Sequence, residues 1–195
     1  MAFNFFKKAE AAVVPEVPQK KVFKLGIILG STREGRVSPQ VGAYIQKIAQ
    51  QHTNHSVELV DIKEYDLPFL GTGTPNDAWN KKIAELDGYI FIVQEYNHGF
   101  SGVLKNAVDS AREEWFNKAA GIVSYGSGGG IRAAEQLRLV LAEQKVASVR
   151  TNPAFNLFTD FENFTTFKPG EHMEAGIHDM LDELVTWSEA FTTIR

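Results

Sequence analysis

Cysteine is absent from all 195 residues, which excludes disulfides, thiol nucleophiles, iron–sulfur clusters and cysteine-bound zinc. A basic excess is missing as well. The formal net charge of −4 at pH 7 leaves nothing spare to displace counterions from phosphates, so no nucleic-acid partner is expected. No apolar run approaches the roughly 20 residues of a membrane helix, and the start has no apolar core of a signal peptide. A cytoplasmic protein without a membrane partner is the expectation. His172 and His178 lie six apart and lack the i, i+4 spacing of a helical zinc pair, so they read as surface residues and no metal site is expected.

What is present suffices for one folded unit: 44% of the residues are hydrophobic and 23% charged, an ordinary globular balance. Residues 1–21 carry Pro15, Pro18 and the cluster Phe3, Phe5, Phe6 ahead of Lys7 and Lys8, a pattern that predicts a flexible tail before a single domain over 22–195. Val22 to Gly30 is almost wholly apolar, as a strand buried on both faces would be. Val41, Ile45 and Ile48 then mark the inner face of a helix. Val57 to Ile62 reads as a more exposed strand, followed by a helix with Trp79, Ile83 and Leu86. Ile90 to Val93 and Ala119 to Tyr125 repeat the buried-strand pattern, each leading through a polar or glycine-rich loop into a helix. Val146 to Val149 is a short fifth strand, and Ile177, Leu181, Leu184 and Phe191 define a final helix. Between these, Phe155, Phe158, Phe161, Phe164 and Phe167 recur every third residue, as a lid, an interface, or aromatics packed back on the body. Five strands alternating with five helices make a doubly wound α/β domain, whose ligands sit beyond the carboxyl ends of its strands.

The loop after the first strand narrows the choice of ligand. Gly30-Ser31-Thr32-Arg33-Glu34-Gly35 lacks the Gly-x-Gly-x-x-Gly of a dinucleotide site, and neither glycine loop carries the Gly-Lys-Ser/Thr of a P-loop. Asp61, at the end of the second strand, reads as a solvated carboxylate. The hydroxyls of Ser31, Thr32 and Ser38, the guanidinium groups of Arg33 and Arg36, and the N–H groups at a helix start together suit a phosphate monoester. Ser38 ahead of Pro39 also serves as a helix start. After the third strand, Tyr96, His98 and Phe100 offer flat, partly polar surfaces, while Gly126 and Gly128 to Gly130 let backbone approach a planar ring. A flat cofactor with a phosphate tail would fit between them.

Gly30-Ser31-Thr32-Arg33, Glu95-Tyr96-Asn97-His98-Gly99, Leu104-Lys105-Asn106-Ala107-Val108-Asp109 and Ser124-Tyr125-Gly126 together resemble the NADPH-dependent FMN reductase family of flavodoxin-like proteins, which includes quinone and azo-dye reductases. The resemblance implies a five-stranded parallel sheet ordered 2-1-3-4-5 with helices on both faces, bound FMN, and homodimers or homotetramers. It places the phosphate on Ser31, Arg33 and Ser38, with Thr32 and Arg36 nearby. The N5 and O4 edge of the flavin falls on backbone amides of Glu95, Tyr96, Asn97 and His98, and the ring's other support on Ser124, Tyr125, Gly126 and Gly128. Gln94 stands where the family usually has proline, which restores an N–H and suggests a freer loop. The implied reaction carries hydride from NADPH or NADH through FMN to a small planar acceptor: a quinone, an azo compound or free flavin. Flavin chemistry of this kind requires no catalytic side chain. An FMN-binding redox sensor or scaffold with little turnover is the alternative. A one-electron carrier fits less well, because such carriers dock through strongly acidic surfaces. Arg33, Arg36 and Arg132 could each meet a 2′-phosphate, and no spacing selects NADPH over NADH.

Overall fold

A computed structural model describes residues 21–195, so the tail expected over 1–21 lies almost wholly outside the described residues. Strand β1 (Lys24–Leu29) leads to helix α1 (Ser38–His52), strand β2 (Ser56–Asp61), helix α2 (Asp77–Glu85), strand β3 (Gly88–Gln94) and helix α3 (Gly102–Asp109). Strand β4 (Lys118–Gly126), helix α4 (Ile131–Glu143) and strand β5 (Val146–Ser148) follow. The sheet is parallel and ordered β2-β1-β3-β4-β5, the flavodoxin-like order. Alternation along the strands sends Leu25, Ile27 and Leu29 of β1 toward one face and Ile28 toward the other. Val41, Ile45 and Ile48 of α1 cover the first face together with Ile177, Leu181 and Leu184 of α5 (Met173–Phe191). Trp79, Leu104 and Leu137 cover the second, from α2, α3 and α4.

The outer strand departs from the five-strand expectation. It is broken into β5 and a further strand β6 (Ala154–Asn156), which pairs with the carboxyl-terminal residues of the same β4. Across the break, the Asn152 side-chain amide donates to the Ile122 carbonyl at 2.9 Å, standing in for a backbone partner. The phenylalanine segment holds, beyond β6, a small hairpin of β7 (Phe161–Glu162) and β8 (Thr166–Phe167). Its regular spacing divides by environment. Phe155 and Phe161 are buried and Phe167 packs against the same core, while Phe158 and Phe164 are exposed. His178 is not simply a surface residue: its ring stacks on His52 at 4.2 Å. No helix among the described residues is long and apolar enough to cross a membrane.

Candidate functional site

The site is built at the carboxyl ends of β1, β3 and β4. Register places the end of β1 beside those of β2 and β3, and two side chains fix the first loop from below. The Gly30 carbonyl accepts from Gln94 Nε2 at 2.5 Å and from the Ser101 hydroxyl at 2.6 Å. Gln94 therefore does the opposite of what its replacement of proline suggests: it is 1% exposed and ties β3 to β1 rather than freeing the loop. Its Oε1 remains buried with no hydrogen-bond partner.

Within the loop, the two arginines have different roles. Arg36 bonds both oxygens of Asp61 and the Ser31 carbonyl, so its charge is already matched. Asp61 is correspondingly not a solvated strand-end carboxylate but a half-buried ion-pair partner. Burial pushes its carboxyl up, yet the Arg36 guanidinium and the Lys63 amide outweigh that and hold it below the ordinary range. Arg33 pairs with no carboxylate among the described residues and lies over the Tyr96 ring at 5.8 Å. Ser38 begins α1 behind Val37, which cannot cap it. The Ser38 hydroxyl is fully buried and faces the Tyr125 phenol, with which it interacts. Thr32, Glu34 and Gly35 have N–H groups without a protein acceptor among the described residues. Unmet donors at a helix start, with one unmatched arginine, form an anion cradle.

The loop after β3 is a tight turn. Tyr96 and Gly99 exchange both backbone hydrogen bonds, at 2.9 and 3.0 Å, which forces Asn97 and His98 to φ of 48° and 67°. Of the four amides assigned to the flavin edge, those of Glu95 and Tyr96 are therefore taken, by Tyr125 and Gly99 carbonyls. Those of Asn97 and His98 stay available at an exposed turn. The Glu95 side chain points away from this edge, accepting from the Arg132 guanidinium and from the Arg132 and Ala133 amides. Burial raises the Glu95 carboxyl, but these donors outweigh it and lower it overall. Arg132 also reaches His98 Nε2 at 2.9 Å, and Gln136 donates to the His98 carbonyl at 2.8 Å. Helix α4 thus holds the turn in place.

The loop after β4 is shaped by Gly130. At φ of 73°, a Cβ there would lie 2.7 Å from the Tyr125 backbone, so only glycine closes this turn without strain. Gly126 is nearly as tight, its Cβ position lying 3.0 Å from Glu95 Cβ. Gly128 has no such constraint. The Ser124 hydroxyl donates to the Gly129 carbonyl at 2.7 Å; it braces the loop instead of facing the cleft. Tyr125 is buried, and burial, its largest influence, pushes the phenol well up, so it stays a neutral hydroxyl.

These loops enclose a cleft of about 150 Å³ bordered by Arg33, Gln94, Tyr96, Tyr125 and Gly126. Across the Arg33–Tyr96 pair lies a second, more open cleft of about 500 Å³, lined by Ser31, Thr32 and Ser101 on one side and Phe69, Phe100 and Val103 on the other. A hollow of about 780 Å³ beside His52 and Thr186 is larger, but it lies at the amino ends of the strands, away from every loop described above.

A parallel sheet of this order, with an anion cradle after β1 and ring-sized gaps after β3 and β4, defines a flavodoxin-like nucleotide-cofactor domain. The chain belongs to the NADPH-dependent FMN reductase family, whose profile matches residues 23–160. It is 35% identical to an NAD(P)H-dependent FMN reductase of Schizosaccharomyces pombe, over 75% of this chain and 80% of that protein. An NAD(P)H:quinone oxidoreductase of Solanum tuberosum is 37% identical over 61% of this chain and 67% of its own. Among solved structures, the flavoenzyme FerB of Paracoccus denitrificans, an NAD(P)H:(acceptor) oxidoreductase, superposes with a TM-score of 0.67 at 20% identity, covering 87% of this chain and 99% of the other. The chain is thus an NAD(P)H-dependent oxidoreductase of the FMN-using kind.

Proposed function

We propose that the chain reduces quinones and related small planar acceptors, with FMN held by Ser31, Thr32, Arg33 and Ser38 at its phosphate and by the loops around Asn97–His98 and Tyr125–Gly128 at its ring. The observation that carries this reading is the loop after β1, where the N–H groups of Thr32, Glu34 and Gly35 meet no protein acceptor among the described residues and Arg33 pairs with no acid there. A phosphate would supply acceptors for these donors and a charge for the arginine. Bound FMN would pass two electrons from NAD(P)H to the acceptor, so that NAD(P)H, a proton and a quinone become NAD(P)⁺ and a quinol.

The chain's own residues do the holding and tuning. Arg33 balances the phosphate charge, while Arg36, neutralised by Asp61, keeps the loop in shape. The Asn97 and His98 amides present fixed donors to the ring edge, a preorganised way to favour added negative charge there. Gln94 joins the phosphate loop to the ring-edge loop, so the two halves of one ligand are positioned together. No side chain in the cleft has to act as acid or base. The functional unit is taken as 22–195, acting in the cytoplasm where nicotinamide reductant is supplied, and assembling as a homodimer or homotetramer.

Purified protein should be yellow, or become so with added FMN, and should bleach with NADPH or NADH in the absence of air and recolour on adding a quinone. A colourless protein that takes up no FMN would overturn the reading. Bound FMN without turnover across several acceptors would favour a sensor or scaffold role instead.

A further inference from the structure

The β7–β8 hairpin lies beyond residues 23–160, the stretch matched to the family, yet it is fastened to both banks of the cleft. On the α1 side, Gln40 donates to the Thr165 carbonyl at 2.8 Å and accepts from the Phe167 amide at 2.9 Å. On the β4 side it is the segment leading into the hairpin that is held: the Leu157 amide donates to the Gly126 carbonyl at 3.0 Å and Asn156 to the Ser127 carbonyl at 3.1 Å. Asp160, buried, steadies the base by accepting from the Asn156 amide at 2.7 Å.

The tip of this hairpin is unusual. Thr165 bonds back to Glu162 at 3.1 Å around Asn163 and Phe164, whose φ angles are 49° and 58°. Two-residue turns of this hand favour Asn followed by Gly, and here phenylalanine occupies the glycine position. A bulky residue in the left-handed region is strained. The ring gains little from the core in return: it is 57% exposed, meeting Phe158 edge-on at 5.5 Å. Strain and exposure together are unfavourable for folding, so a role outside folding explains them best. Phe164 and Leu157 border the same cleft as Tyr96 and Gly126, where together with Val37 they supply its aliphatic and phenyl surface.

We propose that Phe164 is the residue against which a flat aromatic electron acceptor packs, so that the hairpin selects hydrophobic ring acceptors over compact ionic ones. The inference rests on the FMN reading above. In the FMN-loaded enzyme, Phe164→Gly and Phe164→Asn relieve the left-handed strain, so their Tm should equal or exceed that of the parent, which separates function from folding. KM for a naphthoquinone should rise about tenfold, the measure of one aromatic contact. The values of kcat, of KM for ferricyanide and of the flavin bleaching rate with NADPH should stay within twofold, and Phe164→Tyr should restore the parent KM. Without turnover, 2-naphthol titrated against the flavin absorption band should show the same tenfold loss of affinity in both variants. Loaded variants with unchanged naphthoquinone KM and naphthol affinity would overturn the role of the hairpin while leaving the FMN reading intact. A changed sedimentation coefficient with unchanged KM would assign the ring to contact between copies, and would also overturn it. Failure of the parent to take up FMN would remove the reading beneath the proposal.

Discussion

The two ends of the sheet treat charged groups differently. At the amino ends, they find partners within the protein. Asp87 accepts from Lys21 at 2.9 Å and from the Lys24 amide at 3.0 Å, and meets Arg195 at 3.5 Å. Lys118, only 6% exposed, donates to the Ile83 and Ala84 carbonyls at the end of α2. At the carboxyl ends, Gln94 keeps a buried oxygen unpartnered and Arg33 has no acid among the described residues, and the non-glycine residues Asn97, His98 and Phe164 occupy left-handed backbone beside the clefts. The amino end is not free of such features, since the Ser188 hydroxyl beside Gly88 is buried without a hydrogen-bond partner among the described residues and Asn117 and Lys145 are left-handed there. What the carboxyl end adds is free N–H groups and an arginine without an acid at the rim of a cleft. Unmet bonding capacity that faces a cleft, rather than cavity size, marks that end.

The contrast can be broken by substitution. Gly130→Ala should have the largest effect, about 3 kcal/mol of lost stability in urea unfolding, because strain at φ of 73° adds to a clash with the Tyr125 backbone. Asp87→Ala should cost about 2 kcal/mol by leaving a half-buried cluster of cations unmatched, with the FMN dissociation constant unchanged. Arg33→Ala should do the reverse: unfolding without FMN within about 0.5 kcal/mol of the parent, and FMN bound about tenfold more weakly, or about 1.4 kcal/mol, by fluorescence titration. If Arg33→Ala lost stability without ligand and kept its affinity, the comparison would collapse. The smallest effect is a pH dependence. Burial lowers the Lys118 ammonium from 10.5 to about 8, so between those values the unfolded chain binds a proton that the folded one does not. Stability should therefore rise with pH there, by about 1 kcal/mol between pH 8 and 9, and Lys118→Met should flatten the rise.

Most of the architecture was legible because buried strands and amphipathic helices write their periods plainly. Leu25 to Leu29 and Ile90 to Val93 could be little else. The phosphate loop was legible in its residue types, but not in how they divide their work. Arg36 and Asp61 are 25 positions apart, and only the adjacency of β1 and β2 makes them a pair. Glu95 and Arg132 likewise meet only once α4 is laid beside β3. The turn at Asn97–His98 has its glycine, Gly99, one place beyond the left-handed positions, so its hand is imposed by the Tyr96–Gly99 bonds. Gln94 was visible as an odd residue, yet its effect depends on a carbonyl 64 positions away. The even spacing of the phenylalanines concealed a division between core and cleft, because a broken strand and a tight hairpin interrupt any single period.

The broken outer strand bears on how copies of the chain can meet. An uninterrupted edge would expose a row of backbone donors and acceptors on which a second sheet could continue. Here β5 and β6 are three residues each, separated by a stretch in which a side chain, that of Asn152, meets the Ile122 carbonyl. Neither piece offers a template long enough for a neighbouring strand to register on. Sheet extension is therefore disfavoured at this edge, which leaves β2 as the longer of the two edges.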